Sequence, residues 1–279
     1  MNGDDVRNRD LRMKDRVYRW GIGVCILFAL MCVILGFVFG FMGYQTPSQG
    51  PERLRDLSDF GSYLQGTTAS FWSLAGFFII CVAFLAQKQQ LFVQQIQFER
   101  QSFENSFFQL LNLHNEIASA VRDVEAGATD LREVRGRDCF QKWYEQFKTG
   151  WWGVKINTDD WGTLTSVDGP KSLSKRYLAF YTHYQGMLGH YFRNLYHLIK
   201  FIKSSNSEDK RRYTSLARAQ LSQYELALLF YNGIAAIPPE TENKFKPLIE
   251  EFGLLKNLDP KLLLNPDEDL KLYDPKAFK

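Results

Sequence analysis

The stretch 63–125 constrains this chain more than any other. Its apolar run, residues 71–86, has uncharged shoulders back to Tyr63 and passes without proline or glycine into Lys88-Gln89-Gln90-Leu91. An amphipathic run comes next, in which Phe103, Phe107, Leu110, His114, Ile117, Val121 and Val124 recur at alternating steps of four and three. That spacing places them on one side of a helix. The pattern predicts a membrane helix that runs directly into a core helix ending near Val124. The residues before this stretch read as anchor, and those after it read as the domain packed on its distal half.

A second apolar segment lies upstream. From Trp20 to Pro51 no residue carries a charge, and residues 21–43 are 23 mostly apolar positions. At about 1.5 Å of rise per residue, such a helix crosses a hydrocarbon layer of roughly 30 Å. A cleaved signal peptide is the competing reading of a basic segment before an apolar run, but this run is longer and no small-x-small cleavage pattern comes after it. The chain therefore divides into a basic tail (1–19), a transmembrane hairpin (20–86, with spans at about 21–43 and 65–86 and an external loop 44–63) and a helical domain (87–279). Arg7, Arg9, Arg12, Lys14, Arg16 and Arg19 precede the first span, and Lys88 and Arg100 lie beyond the second. The positive-inside bias then puts both ends in the cytoplasm.

The spans carry small residues at matching depth. Gly36, Gly40 and Gly43 lie toward the outer end of the first, and Gly66, Ser70 and Ser73 toward the outer end of the second, so close backbone packing is expected there. Neither span contains an ionisable residue. One hairpin is thus no ion path, and conduction requires several copies around a pore lined by Thr67, Thr68, Ser70 and Ser73.

The domain reads as all-α. A loop is expected over 126–138, with Gly127 and Gly136 as breakers, then a short helix over 139–148 and a long ordered loop holding Trp151, Trp152 and Trp161. The clearest soluble helix is 172–203, where Tyr177, Tyr181, Tyr184, Leu188, Tyr191, Leu195, Leu198 and Ile202 keep a seven-residue repeat. His183, Met187, His190, Asn194 and His197 stand one position before the stripe. Histidines seven residues apart are about 10.5 Å apart along the axis, so no two ligate one metal from this helix. A further helix is expected over 209–236, antiparallel to the first across a short turn. Their polar flanks would bring His183, His190, Asn194 and His197 toward Arg218, Ser222 and Glu225, the best candidate site in the chain. An ordinary half-buried Arg218–Glu225 ion pair is the structural alternative.

Composition excludes several classes. The net charge is only +3, yet ten Lys or Arg stand between Lys171 and Arg218 against Glu208 and Asp209, which admits nucleic acid or another anionic partner. Three of four cysteines lie in apolar spans and the fourth is Cys139, so no disulfide framework or zinc spacing is present. No phosphate-cradling glycine motif, nucleophile elbow or HExxH occurs, and no cofactor is implied.

Two resemblances carry further expectations. Arg193-Asn194-Leu195-Tyr196-His197 resembles the Arg-polar-x-x-x-His signature of HEPN ribonucleases, although three residues separate Arg193 from His197 where that family has four to six. This resemblance implies acid-base and phosphate contacts by Arg193 and His197, with His190 or Glu225 in support. A wider resemblance runs through His190-Tyr191-Phe192-Arg193-Asn194-Leu195-Tyr196-His197-Leu198-Ile199-Lys200-Phe201-Ile202, then Arg218-Ala219-Gln220-Leu221-Ser222, Glu225-Leu226, Leu229-Phe230-Tyr231-Asn232 and Lys244-Phe245-Lys246-Pro247-Leu248. With the Phe-Phe-Gln-Leu-Leu segment at 107–111 and two amino-terminal spans, this ordered set is similar to the phage abortive infection family often called AbiC-like. It implies a bacterial inner-membrane protein that stops the infected cell.

Three functions are expected from these residues. The first is a toxic effector whose cytosolic domain senses a phage-derived or infection-linked trigger, alone or with an accessory defence protein or nucleic acid, and whose spans oligomerise in membrane lipid and permeabilise it. The second is a membrane-tethered HEPN-like ribonuclease. The third is a non-enzymatic membrane adaptor.

Overall fold

The computed structural model describes residues 3–44, 58–59, 61–126, 131–150, 169–207, 209–235 and 243–279. Most of the expected external loop, the tryptophan-rich segment 151–168 and the Pro238-Pro239 break lie outside these residues. Two compact units divide the chain after Gln101.

The first unit is a helical hairpin. Helix α1 (Gly3–Tyr44) contains the first apolar segment. A π-helical turn at Leu64–Thr68 leads into helix α2 (Ala69–Ala120), 52 residues long, whose last part belongs to the second unit. Both helices are long and apolar enough to cross a membrane. Aromatic pairs join them: Phe28 with Phe78 at 5.4 Å, Phe37 with Trp72 at 5.7 Å and Phe39 with Phe71 at 5.3 Å between ring centroids. Gln89 Nε2 donates to Asp15 Oδ1 at 2.7 Å, so the pairing extends beyond the apolar stretch.

Among the described residues the second unit is mostly helical, with one β-hairpin that the all-α reading lacked. Strands β1 (Arg122–Ala126) and β2 (Leu131–Arg135) pair antiparallel, Asp123 opposite Val134. Helix α2 accordingly stops at Ala120, short of Val124. The cause is tertiary: the Asp123 carboxylate accepts from Trp143 Nε1 at 2.7 Å and from Lys142 Nζ at 2.8 Å, and Gly136 N donates to Val121 O at 2.8 Å. Three anchors outweigh the few tenths of a kcal/mol that helix propensity offers at each position. Gly136 has φ of 62°, a left-handed turn that favours glycine.

Helix α3 (Asp138–Thr149) buries Cys139, Phe140, Trp143, Tyr144 and Phe147 along one face. Arg176 Nη2 caps its end by donating to the carbonyls of Phe147 and Lys148 at 2.7 and 2.9 Å. Helix α4 (Gly169–Ser204) buries every member of the heptad stripe from Tyr177 to Ile202. Each large apolar side chain so enclosed contributes roughly 1.5–3 kcal/mol.

The expected helix 209–236 is two helices, α5 (Lys210–Ala219) and α6 (Gln223–Ile234). A capping box divides them: Ser222 Oγ accepts from Glu225 N at 3.3 Å, and Glu225 Oε2 accepts from Ser222 N at 2.6 Å. Residues from Glu225 to Gly233 are all buried, which makes α6 the central helix of the unit. Helix α7 (Lys246–Phe252) has Pro247 in its first turn, where a missing N–H costs nothing. The C-terminal segment packs back onto the core: Tyr144 Oη donates to Leu262 O at 2.7 Å, Leu264 N to Tyr231 Oη at 2.7 Å and Tyr273 Oη to Phe230 O at 2.8 Å.

Candidate functional site

The second unit encloses a polar cluster assembled from four elements. His114, at the far end of α2, is fully buried with its ring centroid 4.7 Å from that of Tyr191 on α4. Tyr191 Oη donates to Glu225 Oε1 at 2.9 Å in the first turn of α6. Arg137, between β2 and α3, approaches the same carboxylate oxygen at 3.8 Å and donates to Asn115 Oδ1 at 3.0 Å. Asn115 in turn donates to Gln220 Oε1 at 3.4 Å. The cluster ties the ends of α2, α4 and α6 to the turn after the β-hairpin.

The Glu225 carboxylate is completely buried, while the Arg137 side chain is 40% exposed. Three donors or charges address the buried oxygens, as a desolvated carboxylate requires. Beside them, His114 is held neutral: burial lowers its pKa to about 4, against the opposing pull of Glu225 and the Asn194 side chain. Neither ring nitrogen of His114 has a hydrogen-bond partner among the described residues, nor has the buried Asn194 Oδ1. Burial and the Glu225 carboxylate likewise raise the Tyr191 hydroxyl well above its ordinary range, so it stays a donor. The arrangement is a neutral imidazole beside a charged pair, drawn from α2, α4, α6 and the turn after the β-hairpin.

The residues expected to form the site are distributed differently. Glu225 and Ser222 are together, through the capping box, and Asn194 joins them beside His114. Arg218 is elsewhere, donating from Nη1 to Gly253 O at 2.9 Å and from Nη2 to Ser215 Oγ at 3.3 Å. His183, His190, Arg193 and His197 are all exposed on α4. Arg193 Nε donates to Gly189 O at 2.9 Å, and the His197 ring lies edge-on to Tyr196. His114 was legible only as a member of the core stripe on α2, and Arg137 carried no signal of its own. The Ser-x-x-Glu box at 222–225 was the sequence cue that would have broken the helix at its true place.

In the first unit, Gly36 and Gly40 face the opposite helix. A Cβ at Gly36 would stand 2.5 Å from Trp72 Nε1, and one at Gly40 would stand 3.5 Å from Thr68 Oγ1. Gly66 has open space around it, and Ser70 is exposed with its hydroxyl returned to Gly66 O at 2.9 Å. Ser73 is exposed as well, and the Gly43 surroundings lie outside the described side chains. The second half of the hairpin meets the first through Leu64, Thr68 and Trp72.

No curated protein and no solved structure matches the chain. Residues 183–262, from partway along α4 through α5, α6 and α7 to the start of the C-terminal segment, match the family described as "Putative phage abortive infection protein".

Proposed function

We propose that the chain is a membrane-anchored abortive infection effector of bacteria. Its helical domain senses an infection-linked partner, and its hairpin, assembled from several copies, then disrupts the inner membrane. The family match supports the phage-defence part. The observation that carries the membrane part is the outer surface of the hairpin, where Leu27 is 69% exposed and Ile80 68%, with Ile34, Phe37, Phe77 and Phe84 also exposed. Soluble proteins rarely leave contiguous apolar surface on this scale uncovered, and lipid is the medium that matches it.

Both ends of the chain lie in the cytoplasm in this reading, in keeping with the basic residues before α1 and after the second apolar run. Helix α2 is common to both units, so a change at His114 and Asn115 acts on the same helix that carries the second span. Alkaline carbonate washing of membranes from cells making the full chain tests the anchor: the reading requires retention in the pellet. A chain recovered in the wash would overturn it.

A further inference from the structure

Helix α4 carries six Lys or Arg and three His over 36 residues, and no Asp or Glu. Two of its cations are committed inside the fold or to a neighbour: Arg176 caps α3, and Lys203 Nζ meets Glu251 at 2.6 Å. Lys175, His183, His190, Arg193, His197 and Lys200 are exposed. Among the described residues no carboxylate is paired with any of them. At 3.6 residues per turn His190, Arg193, His197 and Lys200 fall within about 80° of arc and extend over roughly 15 Å of axis. They form one polar stripe that holds two positive charges, Arg193 and Lys200, and two imidazoles. Lys175 and His183 stand before the kink at Tyr184, at φ −101° and ψ 16°, and are not part of this straight stripe.

We propose that this stripe binds single-stranded nucleic acid. Two cations set two turns apart on one helix face suit a flexible phosphodiester backbone, and imidazole and guanidinium planes stack on unpaired bases. Two other polyanions fit less well. A helix that lies in a lipid surface turns its apolar face outward, whereas the apolar face of α4 is spent on the core, and Met187 is the one large apolar side chain exposed on it among the described residues. Duplex recognition presents a helix to a groove with phosphates on both flanks, whereas here Arg193 and Lys200 lie on one face. The geometry around the row is settled: Arg193 Nε is fixed on Gly189 O, and Lys200 Nζ sits 5.8 Å over the Tyr196 ring. As the signal that activates the effector, the strand rests on the function proposed above; as a binding event, it does not.

The test uses the full chain in phosphatidylcholine nanodiscs and a fluorescent 20-nucleotide oligouridine, with the matching oligothymidine and an RNA duplex of equal length. Binding of either single strand is expected at 50 mM salt, at least fivefold tighter than the duplex. R193Q/K200Q should raise Kd at least tenfold and lower the salt slope of log Kd by about 1.4, the counterion release of two phosphate contacts to a single strand. K256Q/K261Q removes two exposed lysines elsewhere and should leave Kd within twofold. Circular dichroism confirms that each variant is folded. No binding, equal binding of duplex, equal loss in both variants, or binding only to phosphatidylglycerol vesicles would each overturn the proposal. Depolarisation of infected cells without strand binding overturns this inference alone; strand binding by a chain inert toward membranes overturns the effector reading alone.

Discussion

The His114 ring lies 4.7 Å from that of Tyr191, whose hydroxyl donates to the buried Glu225 carboxylate at 2.9 Å. A neutral histidine near the end of the longest described helix thus abuts a contact that joins α4 to the start of α6. The same helix carries the second apolar segment, so this contact is one place where the proposed signal can reach it.

Protonation of His114 is the first consequence. The folded domain holds the ring neutral down to about pH 4, while the unfolded chain takes up the proton near 6.5. Stability is therefore full above pH 6.5 and falls as the pH drops toward 4. At about 1.4 kcal/mol for each pH unit, the loss reaches roughly 3 kcal/mol. Urea midpoints at pH 7.5 and pH 5, read from alkylation of the buried Cys139 in a short pulse at one fixed pH, should differ for the wild type and converge in His114→Phe. Equal pH sensitivity in the variant would assign the effect to another group.

Glu225 and Ser222 separate two kinds of loss. Glu225→Ala strands the Tyr191 hydroxyl and the Ser222 amide in the core and leaves Arg137 without its carboxylate, so a cost of about 3–5 kcal/mol is expected. Ser222→Ala removes only the cap of α6, at about 1 kcal/mol. The same urea measurement at pH 7.5 ranks them, and similar costs would mean that the capping box is the whole role of Glu225.

In the hairpin, Gly36→Leu and Gly66→Leu form a matched pair. The first places a side chain against Trp72, and the second enters open space. Disulfide trapping between cysteines introduced at Phe28 and Phe78, whose rings stack at 5.4 Å, should fall at least fivefold in the Gly36 variant and hold in the Gly66 variant. Equal trapping in both would show that the helices do not meet at Gly36.

Much of this architecture was readable from periodicity. The heptad of α4 is buried from Tyr177 to Ile202, because a seven-residue apolar repeat has one way to face a core. The β-hairpin was not readable, since its strands, with sequences Arg-Asp-Val-Glu-Ala and Leu-Arg-Glu-Val-Arg, are short and highly charged. They exist through contacts to Trp143 and Lys142 that are distant in sequence. The break at Ser222 was written in a capping box, but the apolar pattern on either side runs through it and hides it. For the site, the stripe of exposed histidines drew attention, while the single histidine of the α2 core face entered the polar cluster. Periodicity assigns a face, and only packing shows which polar residues on that face must find one another.

The central claim is that the chain acts on the membrane, and membrane potential in infected cells tests it most directly. A voltage-sensitive dye should report depolarisation in phage-challenged cells that carry the full chain, before total RNA is degraded. Gly76→Arg, which puts a charge in the second span, should abolish both depolarisation and protection. Cells that die fully polarised, or killing that persists after removal of residues 1–86, would contradict the account.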